Sequence, residues 1–123
     1  MTVLNAPATL EQITNFAADY ANATISILDG ATVLVTHTAT SWTPSNTGND
    51  GTATAVLANG GAETIIATGT PTSAKVTSGS SVITVSVGLS GSGADLIIST
   101  TFYILNETST INSLVVTAPA SQA

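Results

Sequence analysis

Residues 24–40 read TISILDGATVLVTHTAT, and the rest of the chain is most easily read outward from them. Ile25 and Ile27 alternate with Thr24 and Ser26, Asp29-Gly30 follows as a favoured two-residue hairpin turn, and Thr32 to Thr40 return. Successive side chains of an extended chain point to opposite faces, so this period of two, rich in β-branched residues, predicts a half-buried strand pair.

Downstream the same grammar repeats. The return strand is expected to run on through Ser41-Trp42-Thr43 and stop at Pro44, where the Asn-, Asp-, Ser- and Gly-rich run Ser45 to Gly51 predicts a loop. Extended stretches follow at Thr52 to Ala58, Glu63 to Thr68, Ala74 to Thr77 and Ser81 to Leu89, with Gly-containing turn signals between them. Two final strands are expected at Asp95 to Thr100 and Ile111 to Thr117, separated by Phe102 to Thr110. Upstream the period changes. Thr9 and Gln12 have capping-box spacing, and Leu10, Ile13, Phe16, Ala17 and Tyr20 share one helical face, which predicts a helix from about Leu10 to Ala21. Residues 1–8 read as a mostly apolar arm, 9–118 as one domain and 119–123 as a tail.

Many short strands with regular turn signals predict a mainly β fold: a two-layer antiparallel β-sandwich or jelly roll with one N-terminal helix. The composition is compatible with a packed core. Although Thr, Ala and Ser fill 55 of the 123 positions, 43% of residues are hydrophobic, which argues against a disordered chain.

Charge excludes more than it assigns. Only 7% of residues are charged, the net charge is −6, and Lys75 is the sole Lys or Arg, so neither phosphate backbones nor anionic membrane surfaces are expected partners. No run approaches the 18 to 20 apolar residues of a membrane span, and no basic segment leads into an apolar stretch near Met1, so a soluble protein is expected. The absence of Cys removes disulfides and thiolate ligands and leaves the redox compartment open.

Candidate chemistry is sparse. His37 is the one general base with a suitable ordinary pKa, but no Gly-x-Ser-x-Gly elbow accompanies it. Its Thr36-His37-Thr38 context reads as a surface or interface histidine on a strand, and no enzyme is expected. Gly88, Gly91 and Gly93 read as a turn, since no Lys is near and no helix follows. Asp29, Asp50, Asp95 and Glu107 are dispersed and lack calcium-loop spacing, so neither metal nor cofactor is expected. Asn22-Ala23-Thr24 and Asn106-Glu107-Thr108 match the glycosylation tripeptide and read as coincidence. Trp42 beside Pro44 fits either a sugar-stacking platform, with the Ser45 to Gly51 loop, or a core or interface anchor. Aromatics are scarce and apolar residues near ends and loops are few, so Leu4, Phe16, Tyr20, Trp42, Phe102 and Tyr103 are the candidate interface residues.

Gly69-Thr70, the strand Val82 to Val87, the run Gly91-Ser92-Gly93-Ala94-Asp95-Leu96-Ile97-Ile98 and Ser113-Leu114-Val115-Val116-Thr117 resemble, taken together, a group of small Ala/Thr/Gly-rich virion structural proteins of tailed bacteriophages. The resemblance covers about residues 64–117. It departs from the group's pattern before Val82, where a more polar strand with an Arg and an aromatic is expected, and no functional residue carries over. What it implies is a head-decoration, or cement, protein on the capsid surface that stabilises the shell by bridging major capsid protein subunits. The alternatives are a tail or fibre module and a carbohydrate- or receptor-binding sandwich. A small, aromatic-poor, nearly uncharged sandwich gains stability by covering edges against copies of itself, so a homo-oligomer is expected, with a trimer matching the threefold positions of capsid lattices.

Overall fold

The computed structural model describes residues 2–3, 6–47, 50–118 and 121–122, and side chains within 13–45 and 51–117. The elements in chain order are β1 (Thr2–Val3), α1 (Ala6–Asp19), β2 (Ala23–Asp29), β3 (Thr32–Thr47), β4 (Asp50–Leu57), a short 3-10 turn η1 (Ala58–Gly61), β5 (Ala62–Thr64), β6 (Ser73–Ser78), β7 (Ser81–Val85), β8 (Val87–Gly88), β9 (Leu96–Ile98), β10 (Thr108–Ala118) and β11 (Ser121–Gln122). The fold is mainly β with one N-terminal helix, as the alternation predicts.

The main sheet runs β7-β6-β2-β3-β4-β10-β9-β8, with β5 added alongside β10. Its two outermost strands, β7 and β8, are consecutive in the chain and separated only by Ser86, so the sheet curls into a nearly closed barrel. Ser86 seals the seam: its carbonyl accepts the Leu96 N–H and its hydroxyl accepts the Asp95 N–H, each at 2.9 Å. The expected single strand Ser81 to Leu89 is therefore two strands, and the chain changes partner at Ser86. The expected all-antiparallel pairing is also corrected, because β8 runs parallel to β9.

The predicted hairpin is present, with Asp29 paired to Thr32, so that the turn is Gly30-Ala31, one residue beyond the expected one. Two bulges on β3 reset the alternation. Leu34 is the extra residue between the pairs Ile27–Val35 and Leu28–Val33, which puts both Leu34 and Val35 in the core. Thr40 is the extra residue between Ala39–Leu57 and Ser41–Val56, and the resulting change of phase turns Trp42 inward after Ala39. β3 does not stop at Pro44. It continues to Thr47 against β4, and the expected loop Ser45 to Gly51 is largely a paired hairpin arm. Pro44 pairs with Ala53 beyond the end of β2, where β3 has one partner, the setting in which a residue lacking an N–H is tolerated.

The helix starts earlier than expected, at Ala6, and so takes in Ala6-Pro7-Ala8 from the predicted arm. Pro7 sits in the first turn, where a missing N–H costs nothing and its fixed φ is already helical. Of the arm, Thr2–Val3 pairs antiparallel with Ser121–Gln122 of the expected tail. The helix packs on β3 and β4 through the predicted stripe: Ile13 is buried and Phe16, Ala17 and Tyr20 are half-buried against the core. It ends before Asn22, which takes φ +61°. The carbonyls it leaves are used: Trp42 Nε1–H donates to Tyr20 O at 2.9 Å and the Ser78 hydroxyl to Asp19 O at 2.7 Å.

Candidate functional site: an apolar ribbon over a buried polar trio

Between β5 and β6, and again between β9 and β10, the chain leaves the regular sheet, and the two departures lie against each other. Gly69 and Tyr103 exchange both backbone hydrogen bonds, at 2.9 and 2.8 Å, while Ile65 N–H donates to Glu107 O and Asn106 N–H to Ile65 O. The Leu105 N–H adds a bond to Thr68 Oγ1 at 3.0 Å. Residues 65–69 and 102–107 thus form a two-stranded ribbon. It is tied to the barrel through Ile66 N–H to Leu34 O, and to the β2–β3 turn through Thr70 N–H to Asp29 Oδ2 at 3.2 Å. Gly69 permits that approach, since a Cβ there would lie 2.9 Å from Leu34 Cδ2 and 2.8 Å from Asp29 Oδ2.

The ribbon's inner side chains, Ile65 and Tyr103, are buried. Four of its exposed ones are large and apolar: Ile66 is 59% exposed, Phe102 52%, Leu105 48% and Ile104 45%. At about half-exposure these four side chains together leave about 300–400 Å² of apolar surface in water.

Beneath the ribbon lies the one buried polar cluster among the described residues. The Ser109 hydroxyl donates to Tyr103 Oη at 2.9 Å, and His37 Nε2 is 3.0 Å from Ser109 Oγ. In the tautomer that matches Ser109 donating to the phenol, the Ser109 lone pairs receive the His37 Nε2–H and Nδ1 is left as a bare acceptor. That Nδ1 is the one buried side-chain polar atom without a partner among the described residues. Burial holds the imidazole below its ordinary 6.5 against the opposing pull of Glu63, so the ring is neutral at pH 7. Burial likewise pushes the Tyr103 phenol up, partly offset by the Ser109 hydrogen bond.

A Ser-His pair invites comparison with a nucleophile and its base, but a base of that kind needs its second nitrogen oriented by a carboxylate and its hydroxyl open to substrate. Here Nδ1 has no partner and Ser109 is wholly buried, so the trio ties β3, β10 and the ribbon together. Among the described residues no pocket and no group of three potential metal ligands occurs, and no helix is long and apolar enough to cross a membrane.

The six candidate interface residues separate. Phe102 is exposed on the ribbon, whereas Tyr103 next to it is fully buried. Trp42 is 6% exposed, edge-on to Phe16 at 5.0 Å, and Phe16 stacks on Tyr20 at 4.5 Å, so these three form an internal aromatic cluster. Trp42 therefore offers no ring face to a sugar. Leu4 lies outside the described residues. His37, expected at a surface or interface, is 2% exposed because it shares the inward phase of Val35 and Ala39. Sequence reading missed Ile66, Ile104 and Leu105; the signal was the run Phe102-Tyr103-Ile104-Leu105, whose apolar residues follow one another without alternation. No family model, curated protein or solved structure matches the chain.

Proposed function

We propose that the chain is a structural subunit of a bacteriophage capsid, a decoration protein that sits on the head shell and stabilises it by bridging major capsid subunits, working as a homo-oligomer with a trimer favoured. The observation that carries this reading is the apolar ribbon: four large side chains held outward in a protein with 7% charged residues, while its one histidine is sealed inside. Repeated contacts of this kind, each modest, add up across a shell through multivalency. The scarcity of Lys and Arg lets such a face approach another protein without burying unpaired cations. The exposed Glu107 lies at the end of the ribbon, and a partner rimmed by Lys or Arg complements it.

The test is co-sedimentation of the purified protein with capsid shells that lack their accessory subunit, followed by heating. The protein is expected to bind and raise the disruption temperature, and Phe102→Ser combined with Leu105→Ser to abolish both effects while the fold persists. Failure of the unaltered protein to bind, or density for it on the tail alone in intact particles, overturns the proposal.

A further inference from the structure

We infer that His37 is an acid-operated latch for the ribbon: a proton taken up at Nδ1 makes a buried cationic donor with no acceptor, and the wall movement needed to meet it loosens the segment that displays Phe102, Ile104 and Leu105.

His37 on β3 and Ser109 on β10 are 72 positions apart, and the hydroxyl between them passes the connection to Tyr103, the residue flanked by Phe102 and Ile104. A bare aromatic nitrogen is tolerated in a core. The same nitrogen protonated is a cationic donor, and no acceptor lies within hydrogen-bond distance of it. The surroundings supply none without rearrangement. β2 places Ile25 opposite His37, η1 and β10 carry no ionisable side chain, and the phenol of Tyr103 is already engaged. From β5, Glu63 faces the site as the register partner of Ser109; its carboxylate favours the protonated ring but accepts from Asn59 Nδ2 at 2.9 Å. Meeting the new donor therefore requires the wall around His37 to move. The movable part is the ribbon, since β2, β3 and β6 are fixed by ladders of five or more residue pairs and residues 102–107 by a few isolated bonds. The consequence for shell binding rests on the function proposed above; the latch itself does not.

His37 is the only histidine, so its imidazole C–H resonances are unambiguous by NMR. These are followed from pH 8 to 4.5 on the full chain, alongside amide exchange expressed as protection factors. His37 is expected to titrate below 6.5, with protection across residues 102–109 falling at least tenfold in step while Ile25 and Val76 stay protected. His37→Gln, whose amide still donates to Ser109 and does not titrate, is expected to abolish the step. If that variant does not fold, Ser109→Ala serves: His37 still titrates, but ribbon protection no longer follows it. An equal pH step in either variant, or titration of His37 with no change in residues 102–109, overturns the latch. Shell binding measured separately at both pH values distinguishes the two ideas: a protection step without binding at neutral pH removes the decoration role and leaves the latch standing.

Discussion

Removing the indole of Trp42 should cost the barrel its joint with the helix, by an amount the contacts allow to be worked out. Trp42 is almost wholly buried, meets Phe16 edge-on and donates Nε1–H to Tyr20 O. Trp42→Phe keeps the edge contact and loses the hydrogen bond, worth about 1 kcal/mol. No further penalty is added for an orphaned carbonyl, because Tyr20 O still accepts the Ala23 N–H. Filling the indole space with a phenyl ring leaves a void costing about 1 kcal/mol more. The sum is about 2 kcal/mol. Trp42→Ala empties the site and should cost about 4 kcal/mol. With a urea m-value of about 1.5 kcal/mol/M, the midpoint should fall by somewhat over ~1 M for Phe and by ~2–3 M for Ala. Far-UV circular dichroism is the appropriate readout, because the variants lack the only Trp. A loss below about 1 kcal/mol for Trp42→Ala would mean that the ring does not carry the helix–sheet contact. A Phe variant as unstable as the Ala variant would place the whole effect in the hydrogen bond and refute the packing part of the reasoning.

Three further outcomes are expected. Tyr103→Phe leaves the buried Ser109 hydroxyl without its acceptor and should destabilise the chain by about 1–3 kcal/mol in urea titration, whereas Phe102→Ser on the exposed side should stay within about 0.5 kcal/mol. Gly61→Ala should cost at least 1–2 kcal/mol, read as a lower melting temperature, since Gly61 has φ +83° and an added Cβ would lie 2.6 Å from Ile111 O. Stability should also depend on pH through His37. Its folded pKa lies below the unfolded 6.5, so between the two the unfolded chain holds more protons. Stability is then fully present above about 6.5 and declines as pH falls below it, by at most about 1.4 kcal/mol per pH unit, and His37→Gln should flatten that slope.

The parts of the fold legible in the sequence are those set by local period. Thr24 to Thr40 and Ala74 to Val85 alternate, and both are hairpins; Ile13, Phe16, Ala17 and Tyr20 share a helical face, and that face packs. What escaped reading depends on partners distant in sequence. Nothing in Thr40 or Leu34 marks a bulge, yet each shifts which residues face inward, and Trp42 owes its burial to the first of them. Ser86 resembles the serines around it and still ends one ladder and begins another. His37 was the readable exception. The phase it shares with Val35 and Ala39 points inward, but a polar residue between two threonines suggests a surface when chemistry is weighed ahead of phase. The ribbon lay hidden because its two halves, 65–69 and 102–107, are distant in sequence and become neighbours only in the fold.

The seam at Ser86 has a consequence for how the chain must assemble. Its hairpins β2–β3, β3–β4, β6–β7 and β9–β10 join strands close in sequence, while β2–β6 and β4–β10 join strands far apart. Distant pairings bear the larger loop-closure entropy, so they form late. β8 and β9 pair across nine positions, so they belong with the local contacts, and Ser86 carries the chain from β7 straight into that pair. Two runs, β2 to β4 and β6 to β10, can thus form on their own and are joined at both sides by β2–β6 and β4–β10; the molecule closes as a buckle does, and until then the edges of β2, β4, β6 and β10 lie open to any neighbouring chain that offers a strand.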